Sequence, residues 1–307
     1  MTLKDSFHDS LDNIVTMTEH PVYRSRRRLL QLAGATAMGA AGPTLSTISM
    51  FGGSRSARAA SNGMPCSVLS NDQANDQVGD PPSVGVKFGR DGHVLPFPGN
   101  TIICHLPQQG SAAACFNALL DIYREAPAHA FMRKVTMLPP SSYHMTVFGA
   151  AASSDRRPEI WPKGLPLDAP MSACHRLLAE RLRTFKLDCA LPLRMRVDLS
   201  DVDQDHLPLR VRLIPADGAE SKKLSRLRDR LSETLTIREP DHESYGFHIT
   251  LGYLIRWLTP EENITFRKEL RRWRETLAES CPVIELGAPE YCTFDDMFAF
   301  HRQLHLT

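Results

Sequence analysis

The chain has 307 residues, of which 42% are hydrophobic and 23% are charged, and its formal net charge is +1. This composition supports one large domain or two small lobes with hydrophobic cores, and it argues against global disorder and against a strongly basic nucleic-acid-binding protein. None of the seven cysteines forms a CxxC pair, so a zinc ribbon is not expected, and the sequence leaves any disulfide pairing open.

The first predicted element is an export signal in residues 1–59. Residues 25–31 read S-R-R-R-L-L-Q, which resembles the twin-arginine export signal of bacteria. A weakly apolar stretch rich in Ala, Gly and Ser follows, and residues 57–59 read A-R-A, a suitable cleavage site. The alternative is a basic amphipathic start to the fold. Met17 offers a second start position, because the stretch before the arginines is long.

Export predicts a periplasmic or secreted protein without a transmembrane segment in the mature chain. Removing residues 1–59 leaves a net charge near −2, so the mature chain has no strong electrostatic signature for nucleic acid. We expect a monomer whose partner is a small phosphorylated substrate, a nucleotide or an RNA end.

Residues 60–83 are polar and predict a flexible leader before a domain at 84–307. In chain order the pattern predicts a hairpin at 84–97, a strand at 101–106, a helix at 111–125, and strands at 134–138 and 144–148. The Pro-rich segment 151–170 predicts a boundary between lobes at about 84–160 and 171–307.

The second half continues with the same mixture of elements. The pattern predicts helices at 171–187, 220–235 and 261–279, and strands at 193–199, 209–214, 247–254, 283–286, 291–294 and 298–304. Strands and helices do not alternate strictly. The order therefore favours an α+β fold, bilobal and pseudo-symmetric, with mostly antiparallel sheets, helices packed outside and a central cleft.

Two short segments point to chemistry. His144-Met145-Thr146 and His248-Ile249-Thr250 are the His-x-Thr segments that lie inside convincing strands, one in each half. Residues two apart in a strand share a face, so each histidine lies beside its threonine while the residue between them faces a core. A polar strand face must border a cleft or find partners.

This pair resembles the two-histidine phosphoesterase superfamily, which includes RNA-ligase-like proteins and cyclic phosphodiesterases. Members have two His-x-Thr/Ser strands about one hundred residues apart in a bilobal α+β fold. The resemblance implies that His144 and His248 are the catalytic acid and base, that Thr146 and Thr250 bind the phosphate, and that no metal or other cofactor is needed. It implies a hydrolase that opens a cyclic phosphodiester, and it leaves open which histidine is the acid.

The residue types suit that chemistry. Opening a cyclic phosphate needs a base for water and an acid for the departing oxygen, and histidine titrates near neutral pH. Threonine hydroxyls can donate to the phosphate oxygens as negative charge builds. Tyr143 and Tyr245 flank the motifs and are possible stacking partners for a base or ribose. We interpret His105 as an ordinary strand residue and Arg226, Arg228 and Arg230 as a solvated helix face.

Two other functions stay open. A metal hydrolase could use the histidines with Asp201, Asp203 and Asp205, although no familiar metal-binding spacing is present. Alternatively, a non-catalytic module could bind a nucleotide or phosphate in the same cleft without turnover.

Overall fold

The computed structural model describes residues 79–200 and 209–307. The predicted export signal, most of the predicted leader, and Asp201, Asp203 and Asp205 lie outside these residues. The described part forms one compact unit. None of its helices is long and apolar enough to cross a bilayer, and its six cysteines are all free thiols.

The described residues form four α-helices, nine strands and five short 3₁₀ helices. The helices are α1 Ala114–Glu125, α2 Met171–Arg183, α3 Gly218–Leu235 and α4 Pro260–Ser280. The strands are β1 Gly99–His105, β2 Val135–Met137, β3 His144–Ala152, β4 Leu193–Val197, β5 Leu209–Pro215, β6 His248–Leu254, β7 Ile284–Leu286, β8 Glu290–Phe294 and β9 His301–His305.

The strands form one curled antiparallel sheet in the order β7-β4-β5-β6-β3-β1-β8-β9, with β2 paired to β6 outside this path. One face of the central strands is buried, through residues such as Met145, Val147, Ile249 and Leu251. Helix α3 contacts β3, β4 and β5, and α2 contacts β1. The predicted α+β class with antiparallel sheets is confirmed.

The strand order has a pseudo-two-fold pattern. Apart from the short strands β2 and β7, the segment β1-α1-β3-α2-β4 repeats as β5-α3-β6-α4-β8, and the two motif strands β3 and β6 are neighbours at the centre. The last strand of each segment pairs with a strand from the other half of the chain. Strand β4 pairs with β5, and β8 pairs with β1. Each side of the sheet therefore combines strands from both halves of the chain.

Local signals explain several element ends. Asp217 caps α3 by accepting from the backbone N–H groups of Ala219 and Glu220, and Thr259 begins α4 with a capping box to Glu262. Gly252 allows β2 to approach β6, since a Cβ there would lie 2.7 Å from the carbonyl oxygen of Thr136.

The predicted hairpin at 84–97 is confirmed only around its turn, where Phe88 and Val94 form an antiparallel bridge. Turns with isolated bridges occupy this segment, and Gly85 and Gly92 take φ values of 75° and 87°. The completely buried Phe88 packs into the core, and residues 85–87 before it form a turn and not the first strand of a longer hairpin. The last predicted strand, 298–304, begins three residues later, because Phe300 turns towards His144.

Candidate active site

The two motifs face each other across the junction of β3 and β6. These strands are antiparallel and Met145 is paired with Ile249. Continuing this register by one residue each way sets His144 opposite Thr250 and Thr146 opposite His248. Opposite residues share a face, so all four side chains lie together on the face away from the buried Met145 and Ile249. The diagonal neighbours His144 and His248 then have their β-carbons roughly 7 Å apart.

The two imidazoles are oriented in the same way. His144 Nδ1 lies 2.6 Å from the carbonyl oxygen of Ser142, and His248 Nδ1 lies 2.8 Å from that of Gly246. In both cases the carbonyl belongs to the residue two positions earlier. Because a carbonyl oxygen can only accept, each Nδ1 holds a proton, and Nε2 is the nitrogen that can exchange a proton with a substrate.

The surroundings of His144 favour its neutral form. Its half-buried ring makes edge contacts with Phe300, at 4.3 Å between centroids, and with His105, at 6.2 Å. Burial is the main reason why the pKa of His144 is lowered to about 4; the nearby His105 and His248 also lower this pKa, and the Ser142 carbonyl opposes them. At neutral pH His144 is therefore an uncharged imidazole.

The two tyrosines that flank the motifs lie in different surroundings. Tyr143 is only 1% exposed and packs in the core. A side chain so buried cannot stack on a ligand, and we correct the sequence-based interpretation by removing Tyr143 from the candidate site.

Tyr245 lies at the site in a different way from the one predicted. Its hydroxyl shares a hydrogen bond with the side chain of Thr146, and burial raises its pKa to about 12. The Arg228 guanidinium lies 4.0 Å from the ring centroid, and the Phe247 ring makes an edge contact. The hydroxyl of Tyr245, more than its ring, therefore meets the site and helps to orient Thr146.

Arg228 is buried, contrary to the expectation of a solvated helix face. It donates to the carbonyl oxygens of Val147, at 2.6 Å, and His242, at 3.2 Å. Burial lowers its pKa relative to that of a solvated guanidinium. Because Val147 follows Thr146 and His242 lies in the loop before β6, Arg228 connects the supports of both motifs.

Strands on both sides extend the polar face. On β1, His105 is paired with His144 and Ile103 with Thr146. On β5, Arg212 is paired with His248 and Arg210 with Thr250. The sequence pattern does not identify His105 or the two arginines as neighbours of the site. Their only sequence signal is the alternation of residues 209–213, which does not specify the partner strand.

His105 is held by a carboxylate. Its Nδ1 lies 2.9 Å from Glu290 Oε2, and the same glutamate is close to Arg302 and His305. His105, Glu290 and Cys292 are near enough to one another to hold a metal ion. Burial raises the pKa of the Cys292 thiol to about 12, however, so this cysteine is poorly suited to act as a thiolate ligand.

Comparisons with known proteins agree with this fold. One similar solved structure is the crystal structure of a conserved protein of unknown function, ATU0111 from Agrobacterium tumefaciens str. C58. Its sequence is 31% identical to that of this chain. The match covers 76% of this chain and 95% of that one, with a TM-score of 0.68. Residues 87–204 match the family model 2H-phosphodiest, described as a domain of unknown function (DUF1868). The chain belongs to the 2H-phosphodiest family. Among curated proteins, none matches it.

The name 2H-phosphodiest points to a two-histidine phosphodiesterase, a hydrolase of ester bonds. The matched segment contains His144 and Thr146 and ends before His248 and Thr250. The match to the Agrobacterium protein covers far more of the chain than this segment does.

Proposed function

We propose that this 2H-phosphodiest protein hydrolyses a cyclic phosphodiester, such as a 2′,3′-cyclic nucleotide or a cyclic RNA end, by metal-independent acid–base catalysis from His144 and His248. One observation supports this most strongly. The register of β3 and β6 gathers two imidazoles and two hydroxyls on one face, and each imidazole is oriented through Nδ1 by a backbone carbonyl.

His144 acts as the base in this proposal. It is neutral at neutral pH, and its Nε2 takes a proton from water as the water oxygen forms a bond to phosphorus. His248 acts as the acid and gives its Nε2 proton to the ribose oxygen as the bond from that oxygen to phosphorus breaks. The product is a phosphomonoester, and the two histidines regain their starting protonation by exchange with solvent.

Thr146 and Thr250 donate to the nonbridging phosphate oxygens in this scheme. Their hydroxyls lie beside the imidazoles on the same face, where negative charge develops in the transition state. Phe300, which contacts the ring of His144, offers an aromatic surface for a base or ribose on the β1 side.

The deciding experiment follows hydrolysis of 2′,3′-cyclic AMP by chromatography, with and without EDTA. We expect turnover that EDTA leaves unchanged, and a loss in kcat of about 10²-fold or more in His144→Ala and in His248→Ala, the scale expected for a missing general acid or base. His93→Ala is the matched control, because His93 is exposed and pairs only with Asp91 among the described residues.

Two results would favour the other functions. Activity that EDTA abolishes and Zn²⁺ or Mn²⁺ restores would indicate a metal-dependent hydrolase. Tight binding of the cyclic nucleotide without product would indicate a binding module. Full activity in both histidine variants would contradict the proposed roles of these residues.

We also propose that the protein is exported, a proposal that rests on residues 25–31 and 57–59 alone. Its substrate would then be a small extracellular nucleotide fragment and not a tRNA-sized molecule. Replacing Arg26 and Arg27 together by lysine preserves the charge, and cell fractionation should then find the protein retained in the cytoplasm. Normal export of this variant would contradict the twin-arginine interpretation.

A further inference from the structure

The two arginines of β5 lie directly beside the second motif. Arg212 is paired with His248 and Arg210 with Thr250, so both side chains start on the same face as the proposed catalytic groups. The β-carbons of such pairs lie roughly 5 Å apart. Both arginines are half-buried. Their guanidinium groups therefore begin one strand away from the proposed position of the reacting phosphate.

The two positions on β1 that correspond to Arg210 and Arg212 hold no permanent cation. The pseudo-two-fold relates β5 to β1, and the residues of β1 in the corresponding positions are Ile103 and His105. The next strand on that side contributes the buried Glu290, whereas β4 contributes the exposed Arg196, paired with Ile214. The four motif side chains are symmetric, so these neighbours make the two ends of the site electrostatically different.

The position of Arg212 indicates where its charge acts. Its Nε lies 3.7 Å from Asp198 Oδ2, and the backbone N–H of Asp198 donates to the carbonyl oxygen of Arg212 from the β4 side. Asp198 is itself held by Ser200 through two hydrogen bonds. The guanidinium thus leans towards β4, away from the two histidines. A planar guanidinium in this position matches the geometry of a phosphate group.

We propose that Arg210 and Arg212 bind a second phosphate group of the substrate. The substrate class is then a nucleoside 2′,3′-cyclic phosphate that carries a further phosphate at its 5′ position. The cyclic phosphate lies over β3 and β6 and the 5′-phosphate lies over β5. This inference rests on the proposed function of the same site, and it determines the direction in which an otherwise symmetric site binds its substrate.

The first experiment measures kcat/KM for 2′,3′-cyclic AMP with and without a 5′-phosphate. We expect the wild-type protein to prefer the 5′-phosphorylated ester by roughly 10- to 100-fold, the range typical of hydrogen bonds to charged groups. The preference should appear mainly in KM and should weaken at high salt. Equal kcat/KM values for the two esters would overturn the inference.

Variants then assign the preference to residues. Arg210→Gln and Arg212→Gln should each lower the preference for the 5′-phosphate. Arg212→Lys should retain part of this preference, because lysine keeps the positive charge but lacks the planar guanidinium group with its paired N–H donors. Arg226→Gln is the matched control, since it removes the same charge from an exposed position on α3. A variant that slows both esters equally would show that its arginine acts on the reacting phosphate instead.

A binding measurement separates this inference from the proposed function. Calorimetry compares adenosine 3′,5′-bisphosphate with adenosine 3′-monophosphate, two product analogues whose binding needs no turnover. Tighter binding of the bisphosphate, lost in the arginine variants that keep the wild-type circular dichroism spectrum, would support the second phosphate site even if neither ester were hydrolysed. Equal affinities in the wild-type protein would overturn it whatever the catalytic result.

Discussion

The two histidines share one orientation but lie in different environments. Each donates from Nδ1 to a carbonyl two residues earlier, which leaves Nε2 for the substrate. The rings of Phe300 and His105 make edge contacts with the ring of His144. Burial lowers the pKa of His144 to about 4, and this is the physical basis for assigning the base to His144.

The pH dependence of catalysis tests this assignment. A base must be deprotonated to act, and the pKa of His144 is lowered from 6.5 to about 4. If His144 is the base, kcat/KM should stay high as the pH falls below 6.5 and should decline only near pH 4. The measurement is a pH profile of kcat/KM for 2′,3′-cyclic AMP. A decline centred at pH 6.5 would contradict the assignment.

Phe300→Ala provides the complementary test. Removing the phenyl ring exposes the imidazole of His144 to water, so the desolvation that lowers its pKa weakens. We expect the acidic limb of the profile to move upward from pH 4 towards 6.5, while His93→Ala leaves the profile unchanged. An unchanged limb in Phe300→Ala would show that the phenyl ring does not control the base.

The threonine hydroxyls can be tested by paired substitutions. Thr146→Val keeps the shape of the side chain and removes the donor, so we expect kcat to fall by about 10²-fold, as for the loss of one donor to a developing negative charge. Thr146→Ser keeps the hydroxyl and should retain most of the activity. Equal kcat values in the two variants would mean that the hydroxyl does not act in the transition state.

At the scale of elements, one buried cation on a helix supports both motif strands. Helix α3 places Arg228 where it donates to Val147 on β3 and to His242 in the loop before β6, with Tyr245 stacked against it. The helix thereby sets the spacing of the two motifs, and Arg228 acts by positioning them.

Arg228→Met should therefore reduce both stability and catalysis. The substitution leaves two buried carbonyl oxygens without their charged donor, and we expect a loss of about 2–4 kcal/mol in the free energy of unfolding, measured by urea denaturation. Arg226→Met, on the exposed side of the same helix, should change this energy by less than about 0.5 kcal/mol. A folded Arg228→Met with unchanged kcat would contradict the positioning role.

At the scale of the whole molecule, the two halves exchange their outer strands. Strand β4 of the first half pairs with β5, and β8 of the second half pairs with β1. Each half alone would leave these strands with unpaired edges and expose the apolar face that they help to cover.

This exchange predicts the behaviour of fragments. Residues 79–200 and 201–307, expressed separately, should each lack the near-ultraviolet circular dichroism of a packed core, and should regain it on mixing because β4–β5 and β8–β1 pairing buries both edges. Size-exclusion chromatography should then show a 1:1 complex. A fragment that folds alone as a stable monomer would contradict the interdependence of the two halves.

Much of the local structure can be predicted from the sequence. The amphipathic periods of residues 220–235 and 261–279 predict α3 and α4 to within two residues, since their caps at Asp217 and Thr259 are local signals. The alternation around His144 and His248 places each histidine beside its threonine for the same local reason. In the segment 84–97 only the region around the Phe88–Val94 bridge follows the predicted hairpin, because the burial of Phe88, a tertiary contact, outweighs the alternation before it.

The sequence by itself determined the class of the fold, the two His-x-Thr strands and the chemistry that such residues can perform, because periodicity, caps and side-chain type are properties of neighbouring residues. Only the tertiary structure decided that His144 lies opposite Thr250, that Arg210 and Arg212 flank the second motif, that Arg228 is buried and that Tyr143 belongs to the core. The reason is that strand register and burial depend on contacts between segments as far apart as β1 and β8, and no local pattern specifies which distant strand becomes a neighbour.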